Sequence, residues 1–457
     1  MVTAAGRFRA DVGIEAGRIA QLAPSLPPGL EDVDCRGLWV LPGFVDVHTH
    51  FDTYLGPFDL QSPDDFESGT RQAAAGGVTT VVDYAFQTAG RSLHEAVDAW
   101  AAKAEGRALV DYGFHTVVVD ASPDVLAEIP DMVRDGFPSF KLFMNRGFGN
   151  LGDPELYAIL RASGKAGGLV TVHAENGGIV EARTAELAEA GRLLPREVPY
   201  AMPPEAEGEA SSRILTLSRL AQDAPVYLVH MSCREALRPL VEARRAGQRA
   251  YGETRPTYLV LDESCYARPP EEAVRYMASP PFRTQADVEA LWRGLGAGDL
   301  ATVASDHTAW NRADKERGMA DFRRMPPGIP ATETMPALVH HFGVNRGRID
   351  ASRWVDVLST TPAKLFGLYP RKGTLAPGAD ADVVLFDPTR RVTLSKAVTH
   401  GAVDYEPYEG FGLVGYPVMT VSRGEVVVRD GTVLGSPGRG RLVRRAPFGC
   451  PNVREEG

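Results

Sequence analysis

His48 and His50 stand one residue apart in GFVDVHTHFD, residues 43–52, at the end of an apolar run. On an extended strand, residues i and i+2 share a face, so both imidazoles point the same way. Taken alone, such a pair is more readily surface decoration than a metal site, because a short motif is a hypothesis until its context appears. The context is a set of polar residues far apart in the chain. Lys141 lies between Phe140 and Leu142 in SFKLFM, His173 lies in VTVHAEN, His230 in YLVHMS, and Asp306 in ATVASDHT. Neutral imidazole and carboxylate suit zinc and related divalent ions. A catalytic zinc takes three protein ligands and keeps a place for water. Four histidines and an aspartate exceed that need and fit two metals. Two metals need a bridge, and an unmodified lysine is a poor one, since its amine is protonated at neutral pH.

Each of these residues has a plainer reading. Lys141 could be an ordinary strand lysine, although burying an unpaired charge inside SFKLFM is costly. His173 by itself reads as a satisfied core histidine. Asp306 could cap a following helix. His307 would point away from Asp306 on a strand, and GGVTT at 76–80 lacks the spacing of a phosphate loop.

The elements that would position these residues are visible as a rhythm. Eight short apolar runs, GFVDVHTH, VTTVVDYA, DYGFHTVVVD, SFKLFM, LVTVHAE, VYLVHMS, RAYGET and TVASDH, alternate with helical stretches such as SLHEAVDAWAAKAEG and ELYAILRASGKAGG. Strand–helix alternation implies parallel strands with crossover helices. Eight such units over this length fit a (β/α)8 TIM-type barrel; a doubly wound open sheet shares the pattern. Each proposed ligand lies in a run or at its C-terminal end, where a barrel builds its active site. Two β-rich pieces flank this middle: RADVGIEAGRIAQLAP reads as a hairpin, and GTLAPGADADVVLFDP and YPVMTVSRGEVVVRDGTVL return to the same texture. They are expected to form one smaller β-sandwich from both chain ends. The expected division is 1–43 and 369–435 for the sandwich, 44–368 for the barrel, and 436–457 for a tail.

Composition narrows the class. The chain has 457 residues, 44% of them apolar and 24% charged, with a net charge of −10. That balance supports a large core and argues against a nucleic-acid partner, which usually needs a basic face. No apolar run reaches the roughly 18 residues of a membrane span, and the first residues carry no signal-peptide segment. Cys35, Cys233, Cys265 and Cys450 are widely spaced, which fits a reduced, cytosolic protein.

Taken together, GFVDVHTHFD, DDFESGTRQAAAGGVTTVVDY, SFKLFM, VHAENG, YGETRPTYLVLD, SPPFR, ASDHT and TTPAKLFGLYPRKGTLAPGADADVVLFDP resemble the dihydropyrimidinase/D-hydantoinase family of the amidohydrolase superfamily over essentially the whole length. The resemblance implies a barrel plus a β-sandwich and an N-carboxylated Lys141 bridging two metals, usually zinc. His48, His50 and Asp306 would hold one metal, and His173 and His230 the other. It implies hydrolysis of a cyclic amide by a hydroxide bridging the metals, with Asp306 as base and then acid. Ser279, in SPP, would hold the ring's amide through its main chain. His94, His115, His340, His341 and His400 match no ligand position. A homotetramer is implied, with a homodimer as the alternative. The tail GRGRLVRRAPFGCPNVREEG is too polar to fold alone and is expected to be ordered by a neighbour. Another cyclic amidase, such as allantoinase, is the second reading. Dihydroorotases carry an arginine after the second histidine, where this chain has Phe51. Some neuronal relatives are metal-free assembly proteins, but here every metal position is filled. The first strand usual in the family, before VTAAGRF, is missing or cut short, so the true start lies upstream or the sandwich is one strand thinner. The family's tyrosine five residues after the bridging lysine is replaced by Arg146, preceded by Asn145, and Pro327 stands where an asparagine is typical. Arg146 is expected to act as an oxyanion donor and to favour rings with an anionic or polar substituent.

Overall fold

The computed structural model describes residues 1–145 and 151–450. Its largest element is a sheet of eight parallel strands, each hydrogen-bonded to the next in chain order. They are β1 (Phe44–Thr49), β2 (Val78–Phe86), β3 (Asp111–Val117), β4 (Ser139–Phe143), β5 (Leu169–His173), β6 (Val226–Leu228), β7 (Ala250–Thr254) and β8 (Thr302–Val303). Each falls inside one of the eight apolar runs or overlaps nearly all of it. Strands covered on both faces need continuous apolar runs rather than alternation, and every residue of β1, β3, β4 and β5 is buried.

The first and last strands meet. Thr49 bridges His307 in parallel, the His50 amide donates to the His307 carbonyl at 2.9 Å, and the Ser305 amide donates to Asp46 Oδ1 at 3.0 Å. The sheet therefore closes as a barrel, and the open-sheet alternative falls away. The connecting helices start and stop where local chemistry directs. Ser92 accepts from the Glu95 amide to cap Leu93–Ala104, and Gly167, at φ +81°, ends Asp153–Ala166 in the left-handed conformation glycine adopts freely.

The second sheet has five strands, Trp39–Pro42, Val383–Thr393, Gly412–Ser422, Glu425–Arg429 and Thr432–Val433, paired antiparallel. The hairpin Asp11–Glu15/Arg18–Ala23 turns at Ala16 and Gly17, both at positive φ, as a tight hairpin turn requires. Ile19 from this hairpin packs with Val40, Val383, Leu385, Met419 and Val421. Both chain ends thus share one small core.

Residues 441–448 run across the N-terminal mouth of their own barrel. The Tyr112 amide donates to the Arg441 carbonyl at 3.0 Å, and the Arg445 amide to the Gly136 carbonyl at 3.0 Å. The Arg445 side chain enters the mouth, 3% exposed, and donates to Ser139 Oγ at 2.7 Å. Within a single chain, this part of the tail already docks on its own barrel. Polar side chains secure it because the barrel floor offers them buried acceptors.

Candidate metal centre and active site

The fold brings the separated polar residues to one place at the C-terminal mouth. His48 lies in β1, with His50 one residue beyond it; Lys141 is mid-strand in β4, and His173 ends β5. His230 and Asp306 lie past β6 and β8, at φ +41° and +48°. Left-handed conformations at residues other than glycine cost energy and concentrate at functional sites. Here they explain why β6 and β8 are short: the chain leaves the ladder to aim these two side chains.

His48 Nε2 and His50 Nε2 lie 3.1 and 3.3 Å from Asp306 Oδ1. Ligand atoms of these three residues fall within 4.8 Å of one another. His173 Nδ1 faces His230 Nε2 at 3.0 Å. Two imidazole nitrogens at that separation share either a proton or an ion, and two nitrogens on a tetrahedral zinc stand roughly 3.3 Å apart. The His48 and His230 rings are 5.5 Å apart, so the two clusters adjoin. Lys141 Nζ lies between them, 5.1 Å from the Tyr84 ring and 4.9 Å from the Phe143 ring. Tyr84 packs on His48 and His50, and Phe143 packs on His173.

Electrostatics make these groups available as donors. Burial pushes the Lys141 amine down to about 7, against the pull of Asp306 and Glu253, so a neutral amine is accessible near neutral pH. Burial likewise pushes His50 down to about 4 and His230 well below its ordinary value. Burial would also lower His48, but Glu253 and Asp306 outweigh it and raise it. Asp306 is held far below the ordinary carboxylate range: Arg255 and then His48 overcome the upward push of burial. His48 Nε2 and His230 Nδ1 are buried without a hydrogen bond among the described residues. The lowered imidazoles of His50 and His230, an ionised carboxylate and unpaired buried nitrogens form a donor set that fits divalent metal ions.

Several site residues had no role in the sequence reading. Glu253, in YGET, contacts His48 Nδ1 at 2.7 Å. Arg255, two residues on, contacts Asp306 Oδ2 at 2.8 Å. Glu175 Oε2 lies 3.4 Å from His173 Nε2. Lys315, 0% exposed, donates to the carbonyls of Met277, Pro326 and Gly328 at 3.3, 2.8 and 2.5 Å. It thereby ties the segment before Ser279 to the MPPG turn. Glu253 and Arg255 lie in YGETRPTYLVLD, one of the stretches that carry the family resemblance, but nothing in the sequence assigned either a role.

Among the expected substrate contacts, Asn145 reaches the site, with Nδ2 3.0 Å from His173 Nε2. Ser279 is half-buried, beside Pro280, whose carbonyl accepts from Tyr258 Oη at 2.5 Å. Arg146 lies outside the described residues. The remaining histidines serve structure: His307 contacts Asp64, His94 contacts Glu128, His115 contacts Ser139, His340 and His341 contact Val414, and His400 contacts Glu333.

Residues 39–427 match the Amidohydrolase family. The D-hydantoinase of Geobacillus stearothermophilus is 42% identical over 454 residues, 98% of this chain and 96% of that protein. The chain belongs to the amidohydrolase family. The crystal structure of dihydropyrimidinase from Brevibacillus agri NCHU1002 superimposes with a TM-score of 0.96 at 41% identity, covering 98% of both chains. The L-hydantoinase (dihydropyrimidinase) from Arthrobacter aurescens has a TM-score of 0.89 at 30% identity, covering 97% of this chain and 98% of that one. This amidohydrolase is a cyclic amidohydrolase of the dihydropyrimidinase/hydantoinase type, acting on non-peptide C–N bonds. Among the described residues no helix is long and apolar enough to cross a membrane.

Proposed function

We propose that this amidohydrolase opens a dihydropyrimidine or hydantoin ring at the mouth of its barrel. The observation that carries this is the convergence of His48, His50 and Asp306 beside His173 and His230, with Lys141 between the clusters. His48, His50 and Asp306 would hold one divalent ion and His173 and His230 the other, with zinc the favoured metal. Such ions, when bound, supply Lewis acidity to water and to the substrate carbonyl. Lys141, whose amine burial brings toward neutrality, is suited to carry a carbamate and so offer both ions an anionic oxygen pair.

Asp306 would take a proton from the attacking water and deliver it to the leaving ring nitrogen, acting as base and then acid. The Ser279 main chain would hold the ring amide. Lys315 supports this by tying Met277 to Pro326 and Gly328. Asn145 and Arg146 would meet the substrate near the attacked carbonyl, Arg146 as the oxyanion donor. That role favours rings with an anionic or strongly polar substituent over plain dihydrouracil.

The chain divides, in this reading, into a sandwich of 1–43 and 369–435, a barrel of 44–368 and a tail of 436–457. It would work in the cytoplasm as a homotetramer in which the tail contributes contacts. A panel of dihydrouracil, hydantoin, 5-substituted hydantoins and allantoin, assayed at known metal content, tests the activity. Ring opening with about two ions per chain supports the reading. Preparations carrying two ions and inert on every ring would overturn it.

A further inference from the structure

Strand β7 supplies none of the six proposed metal donors, yet its end carries two buried charges of opposite sign. Glu253 is 0% exposed and Arg255 1%. Glu253 Oε1 lies 2.7 Å from His48 Nδ1 and accepts from the His230 amide at 3.0 Å. Its Oε2 accepts from Tyr227 Oη at 2.8 Å, and that hydroxyl is 2.5 Å from Thr302 Oγ1. One carboxylate on β7 is therefore held by Tyr227 of β6, itself braced by Thr302 of β8, and by the His230 amide, while one oxygen faces His48. Arg255 Nη1 lies 2.8 Å from Asp306 Oδ2. Its Nε and Nη2 have no hydrogen-bond partner among the described residues. Asp306 is the carboxylate that the guanidinium pairs with, and the Tyr258 ring lies 5.2 Å from the guanidinium.

We propose that Glu253 and Arg255 are positioning residues that set the geometry of the His48–His50–Asp306 cluster from behind. An imidazole offers a metal only the nitrogen that lacks a proton, and a hydrogen bond at the other nitrogen decides which one that is. Glu253 accepts the Nδ1 proton of His48, which leaves the Nε2 lone pair facing the cluster. Arg255 holds Oδ2 of Asp306, which turns Oδ1 toward the Nε2 atoms of His48 and His50, at 3.1 and 3.3 Å. The pair acts on one cluster. Among the described residues, Glu253 bonds to the backbone amide of His230, and no hydrogen bond or ion pair joins Arg255 to His173 or His230. The inference rests on reading the cluster as a metal centre, and it adds an asymmetry: β7 governs one ion site and spares the other.

Metal binding itself is the test. The metal-free full chain is titrated with Co2+, following the cobalt spectrum and competing with a chelator, for wild type, Glu253→Gln, Arg255→Met and Arg255→Lys. Circular dichroism checks that each is folded, and the two substitutions that conserve volume or charge, Glu253→Gln and Arg255→Lys, guard against misfolding. The expected result is two ions on wild type. In Glu253→Gln and Arg255→Met one binding step weakens by about 10- to 100-fold while the other holds. Arg255→Lys recovers part of the loss. If wild type binds two ions and both variants match it, or if both steps weaken equally in folded variants, the positioning role is wrong while the metal centre stands. If wild type binds no ion, the metal reading itself fails.

Discussion

Lys141 and Arg146 carry the two sharpest predictions for single residues. Lys141→Ala removes the group proposed to bridge the two clusters and leaves β4 otherwise intact. Metal Lewis acidity is worth several kcal/mol, so the expected loss in kcat is on the order of a thousandfold or more, with the circular dichroism spectrum unchanged. Short carboxylic acids added to the variant should restore part of the rate by standing in for the carbamate; full activity without them would remove the bridging role. Arg146→Ala should lower kcat about a hundredfold on the best substrate if the guanidinium is the oxyanion donor. Equal rates on every ring, with no gain from Arg146→Tyr, would make it a bystander. The convergence of His48, His50, His173, His230 and Asp306 was legible in the sequence because each lies in or follows an apolar run, so the barrel rule assigns them all to one mouth. Glu253, Arg255 and Lys315 were not legible as site residues. A charge at a strand end has no visible meaning until tertiary structure sets it 2.7 Å from His48 or 2.8 Å from Asp306.

The eight barrel strands were readable as elements because strands buried on both faces need unbroken apolar runs. Lengths were less so: TVASDH contains only Thr302–Val303 as strand, since the left-handed turn at Asp306 depends on the site it serves. The docking of the tail on its own barrel was not legible for a related reason. Its arginines look like a solvated face, but Arg445 is buried against Ser139 and the Phe114 carbonyl. No carboxylate among the described residues pairs with it, and burial pushes its guanidinium down to about 9. Arg445→Ala should therefore destabilise the protein by about 2–3 kcal/mol, through the void and the unsatisfied acceptors. Arg445→Met, which fills the space without an unpaired charge but leaves the same acceptors unmet, should cost less than Arg445→Ala. Calorimetric melting of the two variants separates these outcomes; equal losses would mean that the charge itself is needed.

At the scale of the whole molecule, His400 joins the barrel to the second sheet. Its Nδ1 meets Glu333 Oε1 at 2.7 Å and its Nε2 meets the Gly431 carbonyl at 2.7 Å. The hydrogen bond to Glu333 raises its pKa, outweighing burial. A raised value in the folded state contributes stability that is complete below the unfolded value of about 6.5 and disappears as pH rises through the folded value. His400→Gln should thus lower Tm relative to wild type more at pH 6 than at pH 9; a gap that is constant with pH would show that the charge plays no part. Light scattering tests the proposed tetramer, and a monomer at micromolar concentration would count against it. The way the barrel closes has a kinetic consequence. The join between first and last strands is held by few bonds, among them His50 to His307 and Ser305 to Asp46. His48, His50 and Asp306 flank that join from both sides, so an ion held by all three works as a clasp across a zipper. A ligand present at a hundred times its Kd suppresses opening of the state it binds by about a hundredfold. Amide hydrogen exchange should show it: stripping the ions should speed exchange in peptides spanning His50 and His307 far more than in the β2–β3 pair, so the cylinder would come apart first at its own catalytic edge.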